Sequence, residues 1–318
     1  MSRNRTGIIT TAATAAALLA CTSDVTSVDL VVQAPVKSAA KYSEWSAPVN
    51  LGAIVNSTSN EQNAQLQKDG LAIYFTSNRP EGLGGLDIWV TRRESLDAPW
   101  GPPVNLGFPI NTPQADFGPN ISIDGHLLLF ASNRPGSQAN DLYVARRENP
   151  NEDEWSNPAN LGPGVNTTDN EQAPNYHQNA EEGTGNLYFN RGSQALGAAD
   201  LYYVAVSRDG VATGPAVLVA ELSFPGFNDI AASLRRDAKE VFFSSTRPGG
   251  QGGSDIYTST RQNANDDWVF PGNVLSVNTP SDDVTPNLSF DGLTMLLASN
   301  RPGGIGGNDL YMTTRTRK

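Results

Sequence analysis

One pattern recurs through this 318-residue chain at a spacing of roughly 55 residues, and nothing else in it restricts the fold as strongly. Its clearest copy, residues 283–315, reads DVTPNLSFDGLTMLLASNRPGGIGGNDLYMTTR. An extended run, Thr285–Phe290, meets Asp291-Gly292, a pair that tolerates the positive φ of a tight hairpin turn. The apolar strand Thr294–Ser299, a Gly-rich loop and a third strand, Asp309–Arg315, follow. The third strand opens on Asp87-Ile88-Trp89, Asp141-Leu142-Tyr143, Asp200-Leu201-Tyr202, Asp255-Ile256-Tyr257 and Asp309-Leu310-Tyr311. An arginine closes each second strand: Arg79, Arg134, Arg191, Arg247 and Arg301. A W-x-x-P marker starts at Trp45, Trp100, Trp155 and Trp268, with Ala212 in the remaining copy.

Each unit holds four short strands, too few to bury a face alone. Radial stacking of such sheets predicts an all-β, five-bladed β-propeller of four-stranded antiparallel blades. The markers run over 45–92, 100–147, 155–205, 212–261 and 268–315, within one domain at 42–318. The chain ends just after a third strand and offers an orphan W-x-x-P stretch at Trp45–Gly52. That stretch is expected to supply the outer strand of the last blade and close the ring, which leaves no open blade edge.

Ser122–Arg146 and Ser289–Arg315 are the best matches to S-x-D-G-x-x-L-x-F-x-S-N-R-P-G-G-x-G-G-x-D-L-Y. This resembles the WD40-like repeat of TolB-type periplasmic propellers over about residues 42–318, though the six blades and extra N-terminal domain of TolB have no counterpart. The resemblance implies a propeller of the bacterial envelope.

Arg3 and Arg5 precede a short apolar run, Ile8–Ala20, too short to span a bilayer and suited to a secretory signal at 1–20. It ends Leu18-Leu19-Ala20-Cys21, and Cys21 is the single cysteine. The context resembles a bacterial lipobox, which implies lipidation of Cys21, a tether over 21–41, and an outer-membrane anchor facing the periplasm. A net charge of −11 argues against nucleic acid, whose binding needs Lys and Arg to displace phosphate counterions.

The candidate site is acidic. Glu61, Asp116, Glu171, Asp229 and Asp283 align at the start of the inner strands, four of them five residues after Asn56, Asn111, Asn166 or Asn278. Two readings stand side by side. A ring of such carboxylates at the channel mouth would recruit a cation, and Ca²⁺, which takes six to eight oxygens, suits it. Alternatively, each carboxylate caps N–H groups of its own blade. The expected function is a non-catalytic, lipid-anchored scaffold for an envelope protein or peptide, with part of the peptidoglycan layer as a further partner. The alternative is a carbohydrate-active hydrolase, since five-bladed propellers include glycoside hydrolases. Asp116, Glu171 and Asp283 would then supply its paired carboxyls. Each arginine is expected to brace its hairpin against the nearby third-strand aspartate: Arg79–Asp87, Arg134–Asp141, Arg191–Asp200, Arg247–Asp255 and Arg301–Asp309. The Gly-rich loops lack the Lys-Ser/Thr of a P-loop and read as flexible loops on one face. The tryptophans are expected between blades, and His126 in solvent.

Overall fold

The computed structural model describes residues 41–178 and 184–318. The signal segment, Cys21 and the tether up to residue 40 lie outside the described residues, as does most of the third blade's first turn. Five four-stranded antiparallel sheets form, each a simple meander from an inner to an outer strand. Blade 1 is typical: inner strand Glu61–Leu66, second strand Ala72–Ser77, third strand Asp87–Arg92 and outer strand Val104–Asn105. The fifth sheet takes its outer strand, Val49–Asn50, from the other end of the domain, paired with Tyr311 and Met312 of the third strand. The inner strands neighbour one another in sequence order, and the fifth meets the first. The ring is thus closed as the repeat phase requires.

The core lies between blades. The second strands are buried along their whole length in blades 1, 2 and 4, as befits strands covered on both faces. Trp45 of blade 5 is buried against Phe242 of blade 4, edge-on with ring centroids 5.7 Å apart. Trp155 of blade 2 packs beside Tyr74 of blade 1, and Trp268 of blade 4 beside Tyr188 of blade 3. An unforeseen cation stacks on each tryptophan of the W-x-x-P marker: Arg93 on Trp100, Arg147 on Trp155, Arg261 on Trp268 and Arg315 on Trp45, at 4.4, 4.4, 4.0 and 4.4 Å. Each of these arginines also donates through Nε to a carbonyl of the first hairpin turn: Gly70, Gly125, Ala238 or Gly292. Such stacking contributes about 0.5–2 kcal/mol per pair.

Every inner strand carries a bulge at the same place, where its register with the second strand slips. The residue at the bulge has positive φ: Asn63, Gly118, Ala173, Ala231 and Thr285, at 51, 66, 48, 55 and 51°. Bulges bend and twist a strand. Here, with Pro119, Pro174 and Pro286, they line a narrow waist of about 30 Å³ in the central channel. Neighbouring blades are stitched at the same level, Gly118 N–H to Thr76 Oγ1 and Thr285 N–H to Ser244 Oγ, both 2.8 Å.

Candidate functional site

Glu61, Asp116, Glu171, Asp229 and Asp283 do share one level of the ring, but all five are fully buried and none lines a channel cavity. Each is held by the loop leading into its strand and by one arginine. Ser57, Thr112, Thr167 and Thr279 each donate a backbone N–H and a hydroxyl to the carboxylate four residues on, at 2.6–3.0 Å. Asp229 instead accepts from Phe224 N–H at 2.5 Å. The ion pairs are Arg79–Glu61 at 3.0 Å, Arg134–Asp116 at 2.7 Å, Arg191–Glu171 at 2.8 Å, Arg247–Asp229 at 2.6 Å, and Arg301–Asp283. Burial outweighs these partners at Glu171 and Asp229 and lifts both carboxyls above their usual range.

The arginine partners therefore differ from those the spacing suggested. Ser77 stands opposite both Glu61 and Asp87, so either carboxylate was within reach. Asp87 is already occupied: it accepts from Leu83 N–H, from Gly84 N–H at 3.1 Å and from Asn105 Nδ2 at 3.0 Å. Asp255 and Asp309 accept from their own Gly-rich loops in the same way, and Asp141 from Asn160. Asp200 has no such loop, and burial beside Asp229 raises its pKa. Nor do the Gly-rich loops hang free. A Cβ at Gly84, Gly252 or Gly306 would come within 1.8, 1.9 or 2.1 Å of a carbonyl of the next blade. Only glycine allows that approach.

Asn56, Asn111, Asn166 and Asn278 are clamps. Each side-chain amide takes both the N–H and the C=O of the residue after the third-strand aspartate in the preceding blade: Leu310, Ile88, Leu142 and Ile256. Spacing showed the repetition but not this use. His126 is half-buried rather than solvated, with Nδ1 2.9 Å from the Arg147 carbonyl. Among the described residues, no group of three or more His, Cys, Asp or Glu is gathered where it could hold a metal.

The channel mouth on the Gly-loop side opens into a cavity of about 820 Å³. Nine carboxamide side chains line it, from Gln62 round to Asn308, with Leu86, Phe117, Ile230 and Val284 between them. Asp282 is the one carboxylate among its described lining residues; it accepts from Ser254 N–H at 3.0 Å and Asn300 Nδ2 at 3.1 Å. Blade 3 breaks the symmetry. Its second and third strands, Gly185–Ser193 and Ala198–Val206, run to nine residues and join through the short turn Gln194–Leu196. Ser193, Gln194 and Ala195 thereby reach the mouth.

No family model matches the sequence, and no curated protein matches it. Solved structures of similar fold include an endo-arabinase from Bacteroides thetaiotaomicron, 15% identical with a TM-score of 0.58 over 86% of this chain and 97% of that one. A Bacillus subtilis arabinanase is 15% identical, with a TM-score of 0.58 over 83% and 96%. A thermostable family-43 glycoside hydrolase is 12% identical, with a TM-score of 0.57 over 83% and 91%. At such identities the likeness is one of fold. It nevertheless corrects the TolB-type assignment, and with it the non-catalytic scaffold for protein or peptide: these similar structures are glycoside hydrolases. The repeat misled because its repeated residues build turns and braces within each blade and clamps between neighbouring blades. They report the blade, not the ligand.

Proposed function

We propose that this chain is a carbohydrate-active protein and that the mouth cavity is its saccharide site. The observation that carries the reading is the amide-lined cavity, set in a fold that the arabinanases also use. A carboxamide offers both donors and an acceptor, as sugar hydroxyls require, and the apolar residues between suit the C–H faces of a sugar ring. Arabinose- or xylose-containing polysaccharides are the substrate class this favours. Asp116, Glu171 and Asp283 do not serve as the acid and base, because each is fully buried in an ion pair of its own. Asp282 is the carboxylate from which acid–base chemistry at the mouth would start. The usual pair of carboxyls needs a second group that the described lining does not include. Saccharide binding is thus the part carried by geometry, and hydrolysis the part an experiment decides.

The test uses full-length protein with arabinan, arabinoxylan and xylan, measuring retention in affinity electrophoresis and release of reducing ends. Retention on at least one polysaccharide is expected. Where sugar is released, Asp282→Asn should stop the release and leave retention. Neither retention nor release on any of the three would sink the reading.

A further inference from the structure

A second concavity lies in the seam between blades 3 and 4. It is a groove of about 440 Å³, and its described lining shares no residue with that of the mouth. The second strand of blade 3 runs between the two places. Its last residue, Ser193, reaches the mouth, whereas Asn186 and Tyr188, toward its start, line the groove. Comparison with the seam between blades 1 and 2 explains why this one is open. There Asp153 turns inward and accepts from the Tyr74 hydroxyl at 3.1 Å and from Arg92 at 2.6 Å. Asp153 stands two residues before Trp155, as Asp266 stands two before Trp268. Asp266 turns instead onto its own loop, where it accepts from Asn263 N–H at 2.9 Å and Asn263 Nδ2 at 3.0 Å. Tyr188 pairs with Tyr203 as Tyr74 pairs with Val90, and in this register the counterpart of Arg92 is Ala205. Blade 3 thus leaves open the space that Arg92 and Asp153 fill between blades 1 and 2.

The groove has an aromatic wall. Tyr203 lines it half-buried and stacks on Tyr188, with ring centroids 5.6 Å apart. The other blades carry Val90, Val144, Thr258 and Met312 at that position. Val217, which pairs with Tyr203 from the outer strand, keeps 47% of its surface exposed. Glu221, Asn265 and Asp267 line the groove in solvent, and their side chains make no hydrogen bond or ion pair with another described residue. Arg261 is the one cation in the described lining. It is taken up by the Trp268 ring at 4.0 Å and the Ala238 carbonyl at 2.7 Å. The groove therefore offers a ring face and free acceptors and disfavours an anion. That combination suits the C–H face and the hydroxyls of a neutral sugar.

We infer that the groove between blades 3 and 4 is a second saccharide site, which holds one neutral stretch of a polysaccharide while the mouth holds another. This rests on the saccharide reading above. Two contacts on one polymer raise its retention well beyond that of either site, because the second binding event becomes intramolecular. A short oligosaccharide gains nothing from the linkage and fills each site separately.

The test compares wild type with Ala205→Arg, which gives blade 3 the arm that blade 1 has, and with Tyr203→Val, the residue that blades 1 and 2 carry. Arabino- and xylo-oligosaccharides serve as probes in calorimetric titration. Arabinan, arabinoxylan and xylan serve in affinity electrophoresis, and melting temperature is read without ligand. Wild type is expected to bind the preferred oligosaccharide at two sites per chain and each variant at one. Retention on the matching polysaccharide should weaken at least tenfold in both variants. Ala205 is exposed, so Ala205→Arg should keep the wild-type melting temperature and carries the test if Tyr203→Val fails to fold. A single site in wild type, with retention unchanged in Ala205→Arg, overturns the inference and leaves the mouth standing. Two sites in wild type and Ala205→Arg alike overturn it too, since the second then lies elsewhere. A wild type that binds none of the oligosaccharides and is retained on none of the polysaccharides overturns the saccharide reading and this inference with it.

Discussion

A protein shortened to begin at Ala53 is expected to lose its single cooperative melting transition. The segment removed supplies the outer strand of blade 5, Val49–Asn50, and the contacts around it. Ser46 N–H donates to the Thr314 carbonyl at 2.8 Å, Leu51 N–H to the Leu310 carbonyl at 3.0 Å, and Asn50 Nδ2 to Asp309 at 2.8 Å. Trp45 is buried against Phe242, with the Arg315 guanidinium 4.4 Å from its ring. Loss of a buried tryptophan alone costs about 3–5 kcal/mol. Against a total stability of about 5–15 kcal/mol, the strand bonds lost with it leave little margin. The third strand Asp309–Thr314 would also be left as an open edge, a template for association. Calorimetry should therefore show a broad, concentration-dependent transition. A melting temperature within about 2 °C of the full chain would mean that the ring does not depend on this strand.

That closing strand was readable in the sequence because phase alone decides it. A chain that stops after a third strand and begins with a surplus fourth has one economical arrangement. The blades were readable for a related reason: Asp291-Gly292, the apolar Thr294–Ser299 run and the Asp309-Leu310-Tyr311 start are each what a hairpin of this kind needs locally. Partner choice was not readable. Arg79 lies within reach of two carboxylates placed by the same register, and Asp87 is taken by loop amides that sequence spacing does not display. The mouth was hidden more deeply. Its inner-strand lining residues Gln62, Phe117, Gln172, Ile230 and Val284 occupy one position in five copies and divide between glutamine and three different apolar residues. A search for repeated residues passes over them, since repetition marks what every blade needs and a ligand site is where the blades differ.

Among the five repeated ion pairs, Arg247–Asp229 should be the most costly to break. Their side chains are 4% and 0% exposed, the lowest of the five pairs. Asp229 also lacks the hydroxyl donor four residues upstream that serves each of the other four carboxylates, and it relies on Phe224 N–H, the Ser245 side chain and the guanidinium. Arg247→Met keeps an unbranched side chain but removes the guanidinium that lies over Phe243 and Tyr257 and leaves the carboxylate uncompensated. Such a loss costs roughly 3–5 kcal/mol, about 6–20 °C in melting temperature for a domain of this size. The cost should depend on pH. Burial already raises the Asp229 carboxyl in the folded state, and removal of Arg247 raises it further. A carboxyl raised on folding favours the folded state below its unfolded pKa of about 4, and loses that contribution as pH rises through the folded value. The deficit of Arg247→Met against wild type should therefore be largest near pH 7 and shrink as the pH is lowered and Asp229 takes up a proton. The double substitution Arg247→Met, Asp229→Leu should recover part of the loss at pH 7, because it removes the stranded charge. A deficit below about 1 kcal/mol that stays constant as the pH is lowered would show that the pair braces nothing. The repeated arginines would then need another explanation.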